Sequence, residues 1–147
     1  MRRAAFAFLL PAALLASACV KETKPLPVLQ ATQATTEIPQ DQLLDVGVHI
    51  LDPGVPKEIE ENPDLGEKAR IYPEIRRGEA RYSAMQLRDT LEGSGQWATV
   101  RVVPATVNSF DVTVDGRIIE SDGTSLRLSI TAVDATGLVW IKEREYE

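Results

Sequence analysis

Hydrophobic period switches from helical to alternating at Gly93-Ser94-Gly95, and that change constrains the fold more than any other feature. Before it, Ala80, Ala84, Leu87 and Leu91 recur at the three- and four-residue spacing of a helix with one buried stripe. Pro73 suits the first helical position and Glu74 the positive end of the helix dipole, so a helix is expected over 73–92. Gly78, costing about 1 kcal/mol relative to alanine, marks a point where the helix can divide. After the glycines, alternation takes over. Strands are expected from Ala98 to Val103, from Phe110 through Asp115 to Ile119, along Leu126, Leu128, Ile130 and Ala132, and from Leu138 to Ile141. Asp122-Gly123 and the stretch from Asp134 to Gly137 read as the turns between them, and Gly116 as a bulge.

One strand precedes the helix. Leu44, Val46, Val48 and Ile50 share a face, and Asp52-Pro53-Gly54 ends the run with turn chemistry. From Pro53 to Tyr72 the chain holds three prolines, two glycines and a cluster of acids, with short helical turns expected from Pro56 and after Asp64. The order strand, helix, strand, then hairpins predicts an α+β domain over 42–147. Its sheet is mixed, a β-α-β unit followed by an antiparallel meander, with one main helix packed on the sheet. The chain stops while still reading as a strand, a pattern expected of a fragment or of an alternative end.

The first forty residues have a different character. Arg2 and Arg3 precede an apolar segment from Ala4 to Leu15, and the small residues Ala16-Ser17-Ala18 lead directly to Cys19, the only cysteine. This is the layout of an export signal over 1–18. The apolar run is shorter than the ~20 residues that span a bilayer, and Pro11 interrupts it. Small residues followed at once by cysteine resemble the lipobox of bacterial lipoproteins, although Ala16 stands where that family prefers Leu, Val or Ile. The resemblance implies a diacylglyceryl thioether and an amide-linked acyl chain on Cys19, and several chains anchor a protein where one does not. Val20 in place of the aspartate of enteric-type sorting implies an outer-membrane anchor facing the periplasm. Inner-membrane anchoring, or cleavage by an ordinary signal peptidase to a soluble periplasmic product, are the alternatives. Residues 19–41, rich in Thr, Gln, Ala and Pro, then read as a flexible tether that would hold the domain about 25 Å from the membrane.

Charge and side-chain inventory narrow the chemistry. A formal net charge of −6 works against nucleic-acid binding, for which a basic face is required. His49 is the sole histidine, so no histidine pair can ligate a metal; it is expected to pack or face solvent opposite Val48. Ser94 lies between glycines at a helix end and reads as a turn-maker rather than a nucleophile. Glu58, Glu60, Glu61, Asp64 and Glu67 form a charge run that reads as a solvated face, with a glycosidase-type carboxylate pair as the alternative. Arg77, Arg81 and Arg88, spaced four and seven apart, fall in one stripe beside the apolar face of the helix. They are candidates for a partner-binding patch or for pairing with Glu74, Glu92 and the acidic loop. No cofactor or metal is expected.

From Ala80 to Trp140 the chain resembles several bacterial envelope lipoproteins: the auxiliary lipoproteins of lipid-transporting ABC systems, curli-secretion-type lipoproteins and the amino-terminal domain of the Tol system's propeller protein. The resemblance rests on a helix ending at Gly93-Ser94-Gly95, a strand to Val103, Gly116-Arg117-Ile118 before a hairpin, and Asp134-Ala135-Thr136-Gly137-Leu138-Val139 near the last strand. It implies a periplasmic accessory role and carries no functional residue. The expectation is a non-enzymatic, membrane-anchored lipoprotein that binds or positions another protein or component of the envelope. A carboxylate-based envelope hydrolase and a small-ligand-binding periplasmic module are the competing readings.

Overall fold

The computed structural model describes residues 35–147. The signal segment expected over 1–18, Cys19 and most of the tether expected over 19–41 lie outside the described residues. From 35 to 42 the chain is exposed and makes one short 3-10 turn at Gln40–Gln42.

The elements in order are β1 (Asp45–His49), α1 (Lys57–Glu61), α2 (Asp64–Ala69), α3 (Pro73–Gly93), β2 (Thr99–Val103), β3 (Val112–Ser121), β4 (Leu126–Asp134) and β5 (Val139–Tyr146). They form an α+β fold around one five-stranded sheet of order β2-β1-β3-β4-β5. β1 pairs in parallel with both β2 and β3, and β3, β4 and β5 make the antiparallel meander. α3 lies on one face.

Period-2 patterning makes the sheet two-faced. Val46 and Val48, Val100 and Val102, Val112, Val114 and Ile118, and Leu128, Ile130 and Ala132 all point to the α3 side, where Ala80 and Ala84 meet them. The two alanines let the helix axis approach closely, and Leu87, Leu91 and Trp97 flank them. α3 runs unbroken through Gly78, around which nothing lies within 4 Å; packing at Ala80 and Ala84 outweighs the local propensity cost. Ser94 and Gly95 stop it, Ser94 Oγ donating to the Leu91 carbonyl and Gly95 taking the left-handed conformation at φ +67°.

Two sequence expectations shift by a residue or two. Ile50 is 42% exposed, and Leu51 takes the inward position at 3%. The cause is an extra residue in the chain after β1. Val48 pairs with Val114 but Asp52 bridges Arg117, four residues against three, so the side-chain alternation inverts between them. The β3 bulge sits not at Gly116 but between Ile118 and Glu120, whereas Gly116 stays in register with Ile130. Gly116 is needed for space: a Cβ there would lie 2.7 Å from Leu51 Cγ and 2.9 Å from Ile130 Cδ1.

β3 does not pair with β2, its predecessor. From Val103 the chain returns across the back of β1 through Pro104–Asp111 and lays β3 on the other side of it. This return packs on Gly47, where a Cβ would collide with the Phe110 ring. Gly47→Val should therefore destabilise the domain by about 1–3 kcal/mol, the usual scale of overpacking. Urea denaturation measures it, and an unchanged midpoint would show that Phe110 does not seal the back of β1.

Candidate functional site

On the α3 side the helix covers β2, β1 and part of β3, and the sheet beyond it is open. What remains is an apolar groove of about 430 Å³. Its floor is Val112 and Val114 from β3, Leu128, Ile130 and Ala132 from β4, and Ile141 from β5. Ser83, Leu87 and Leu91 of α3 form one wall. Trp97 and Trp140, the only tryptophans of the chain, both line it, as does Tyr146. Ser83 is the only lining residue that is neither aliphatic nor aromatic, so the groove offers almost nothing to hydrogen-bond.

The turn before β5 aims the rim. Asp134 Oδ1 accepts from the backbone N–H groups of Thr136 and Leu138 and from the Thr136 hydroxyl, and Gly137 takes φ +88°. Asp134 Oδ2 accepts from Trp140 Nε1 at 3.0 Å, fixing the indole beside the groove although the side chain is 46% exposed. These donors hold the Asp134 carboxyl below its ordinary pKa, the Thr136 hydroxyl most of all. Asp122 does the same for the β3–β4 hairpin: the Ser125 and Thr124 N–H groups bring its carboxyl down to about 2. At the far edge, β5 steps out of register between Ile141 and Arg144. Glu143 there takes a left-handed φ of 42°, and its N–H donates to Thr131 Oγ1. The step turns Arg144 to the same face as Ile130, with its guanidinium 5.4 Å from the Tyr146 ring centroid.

The opposite face of the sheet is polar. Asp52, Asp115, Arg117, Ser129, Thr131, Glu143 and Glu145 line a shallow, open depression there, with Arg117 Nε 3.5 Å from Asp52. His49 lies beneath the return segment at 4% exposure. Its Nδ1 is 2.7 Å from Asp115 Oδ1 and its Nε2 3.0 Å from the Val107 carbonyl. Both partners are acceptors, so only the doubly protonated ring satisfies both contacts. Burial pushes the imidazole pKa down, but the Val107 carbonyl and the Asp115 carboxylate outweigh it and leave the pKa raised above 6.5. Sequence reading placed His49 opposite Val48 correctly and missed this clamp, because Val107 and Asp115 are distant along the chain.

The other sequence candidates are not brought together. Glu58, Glu60 and Glu61 lie on α1 and Asp64 and Glu67 on α2, all exposed, and none lines a described cavity. Among the described residues no cluster of His, Cys, Asp and Glu is placed to hold a metal ion. Arg77 bonds Glu74 and lies 3.3 Å from Glu60, and Arg88 pairs with its neighbour Asp89. Arg81 is exposed and makes no ion pair among the described residues. At 100° per residue, these arginines flank Ala80 and Ala84 on the side away from Ser83 and Leu87, so they do not border the groove. Arg76, which sequence reading passed over, is buried at 5% between α3 and the β3–β4 hairpin, with Nη2 3.4 Å from the Ser121 carbonyl.

No family model, curated protein or solved structure matches this chain.

Two measurements check these assignments. A His49 with a raised folded pKa adds stability that is fully present below the unfolded pKa and is lost as pH rises through the folded one. The thermal midpoint should therefore hold below the unfolded histidine pKa of about 6.5 and fall as pH rises above it, and His49→Gln should flatten the fall. An NMR titration placing His49 below 6.5 would contradict the clamp. Separately, Asp134→Ala should speed exchange of the Trp140 indole proton and red-shift its emission, while Trp97 stays unchanged.

Proposed function

We propose that this protein is a lipid-anchored envelope lipoprotein that works by contact, offering its apolar groove to another component of the cell envelope. The observation that carries the reading is the groove itself. An open face built from Leu128, Ile130, Ile141 and Trp140, with no polar group converging on it, suits binding and gives bond-making chemistry nothing to work with. Support for the anchor comes from the sequence: the basic start, the apolar segment and Ala16-Ser17-Ala18 before Cys19. No helix among the described residues is long and apolar enough to cross a membrane, which is compatible with an anchor made of acyl chains. The outer membrane, facing the periplasm, is the assigned location on the strength of Val20.

The anchor and the contact role are tested together in cells. Intact mass of the mature product should show an acylated cysteine and removal of 1–18, and Cys19→Ser should release the protein from the membrane fraction. A photo-crosslinking residue placed at Trp140 should give a light-dependent adduct in intact cells, and the same residue at exposed Glu92 should not. An unmodified thiol in a freely diffusing protein removes the anchor; equal adducts from both positions remove the contact role.

A further inference from the structure

Two numbers define the open part of the sheet. Strands lie about 4.8 Å apart, so the stretch from β3 to β5 that α3 leaves bare is about 10 Å wide, the diameter of an α-helix with its side chains. The wall beside it has a matching form. Ser83, Leu87 and Leu91 are spaced i, i+4, i+8, the ridge that a helix presents to a neighbouring helix in ridges-into-grooves packing. Ser83, the smallest of the three, leaves room at one end for a partner side chain. Floor and wall together outline a second helix lying alongside α3 on the same sheet face, as in layered α+β domains.

The lining also selects against an extended peptide. Such a segment would bury backbone N–H and C=O groups against Leu128, Ile130 and Ile141 with no partner, whereas a helix satisfies its own. Arg144 adds a charge requirement. It faces the groove side at the β5 edge, stacks on Tyr146 and makes no ion pair among the described residues. We infer that the groove receives an amphipathic α-helix of a partner protein, its apolar stripe on the β3–β5 floor and an acidic residue beside the stripe against Arg144. This deepens the contact role proposed above and rests on it.

The test uses the purified full chain and a synthetic helical peptide with leucine at i, i+3, i+4 and i+7 and glutamate flanking the stripe. Trp97 and Trp140 both line the groove and report occupancy directly. The peptide should give a saturable blue shift of tryptophan emission. A scrambled peptide of the same composition should bind at least about ten-fold more weakly, a difference of about 1.4 kcal/mol. Arg144→Glu should weaken the glutamate peptide and favour one with lysine at the flanking positions. Ser83→Phe, which fills the wall, should abolish the shift with circular dichroism unchanged; if that variant does not fold, Trp140→Ala at the exposed rim replaces it, read through Trp97. Equal responses to the two peptides overturn the inference. So does saturation by palmitate without any response to the helix, which would make the groove an acyl-chain site. Self-association in sedimentation velocity that shields both tryptophans before peptide is added would assign the face to a second copy of the chain and overturn it too. Failure of the peptide alongside an acylated, membrane-bound protein with a Trp140 adduct leaves the contact role standing and removes only the helix.

Discussion

The sheet depends on β1 being buried on both faces while hydrogen-bonded on both edges. Five residues, Asp45–His49, carry parallel ladders to β2 on one side and β3 on the other. On the α3 face Val46 and Val48 fill the core; on the back, Gly47 and His49 lie under Phe110 and Val107. Each back-face residue suits its cover. Gly47 has no side chain, so the Phe110 ring can rest on the strand, and His49 reaches the Asp115 carboxylate with one ring nitrogen and the Val107 carbonyl with the other. With the return segment fixed there, β3 is delivered beside β1, and the meander that forms the groove floor extends from it.

Much of the architecture is legible in the sequence because it rests on local period. The α3 stripe, the strand alternations and the glycine-bearing turns all announce themselves, and α1 and α2 begin where Pro56 and Asp64 suggest. What sequence does not announce is strand order. Placing β3 next to β1 depends on an eight-residue return whose only marks are Phe110 and a glycine sixty-three positions earlier. The extra residue after β1 is invisible for the same reason: Ile50 and Leu51 are equally apolar, and only the Asp52–Arg117 bridge decides which one turns inward.

The groove is the converse case. Apart from Ser83 the residues that line it read as ordinary core, and nothing in Leu128, Ile130 or Ile141 tells a strand that its face stays open. The pattern Asp134-Ala135-Thr136-Gly137-Leu138-Val139 was visible as a turn, but its structural meaning lies in one carboxylate that shapes the hairpin with Oδ1 and holds Trp140 with Oδ2. A turn motif thereby becomes a positioning device for the rim of the groove.

The register step at Glu143 bears on how such a surface avoids uncontrolled sticking. β5 is an outer strand with unpaired backbone groups, and Val139 to Ile141 would otherwise offer a flat apolar template to a neighbouring chain. The left-handed residue breaks the β4–β5 register, and Lys142, Glu143, Arg144 and Glu145 put four successive charges along the strand. Strand-on-strand polymerisation is thus discouraged at the border of the sheet, while the apolar floor a few ångströms away stays accessible.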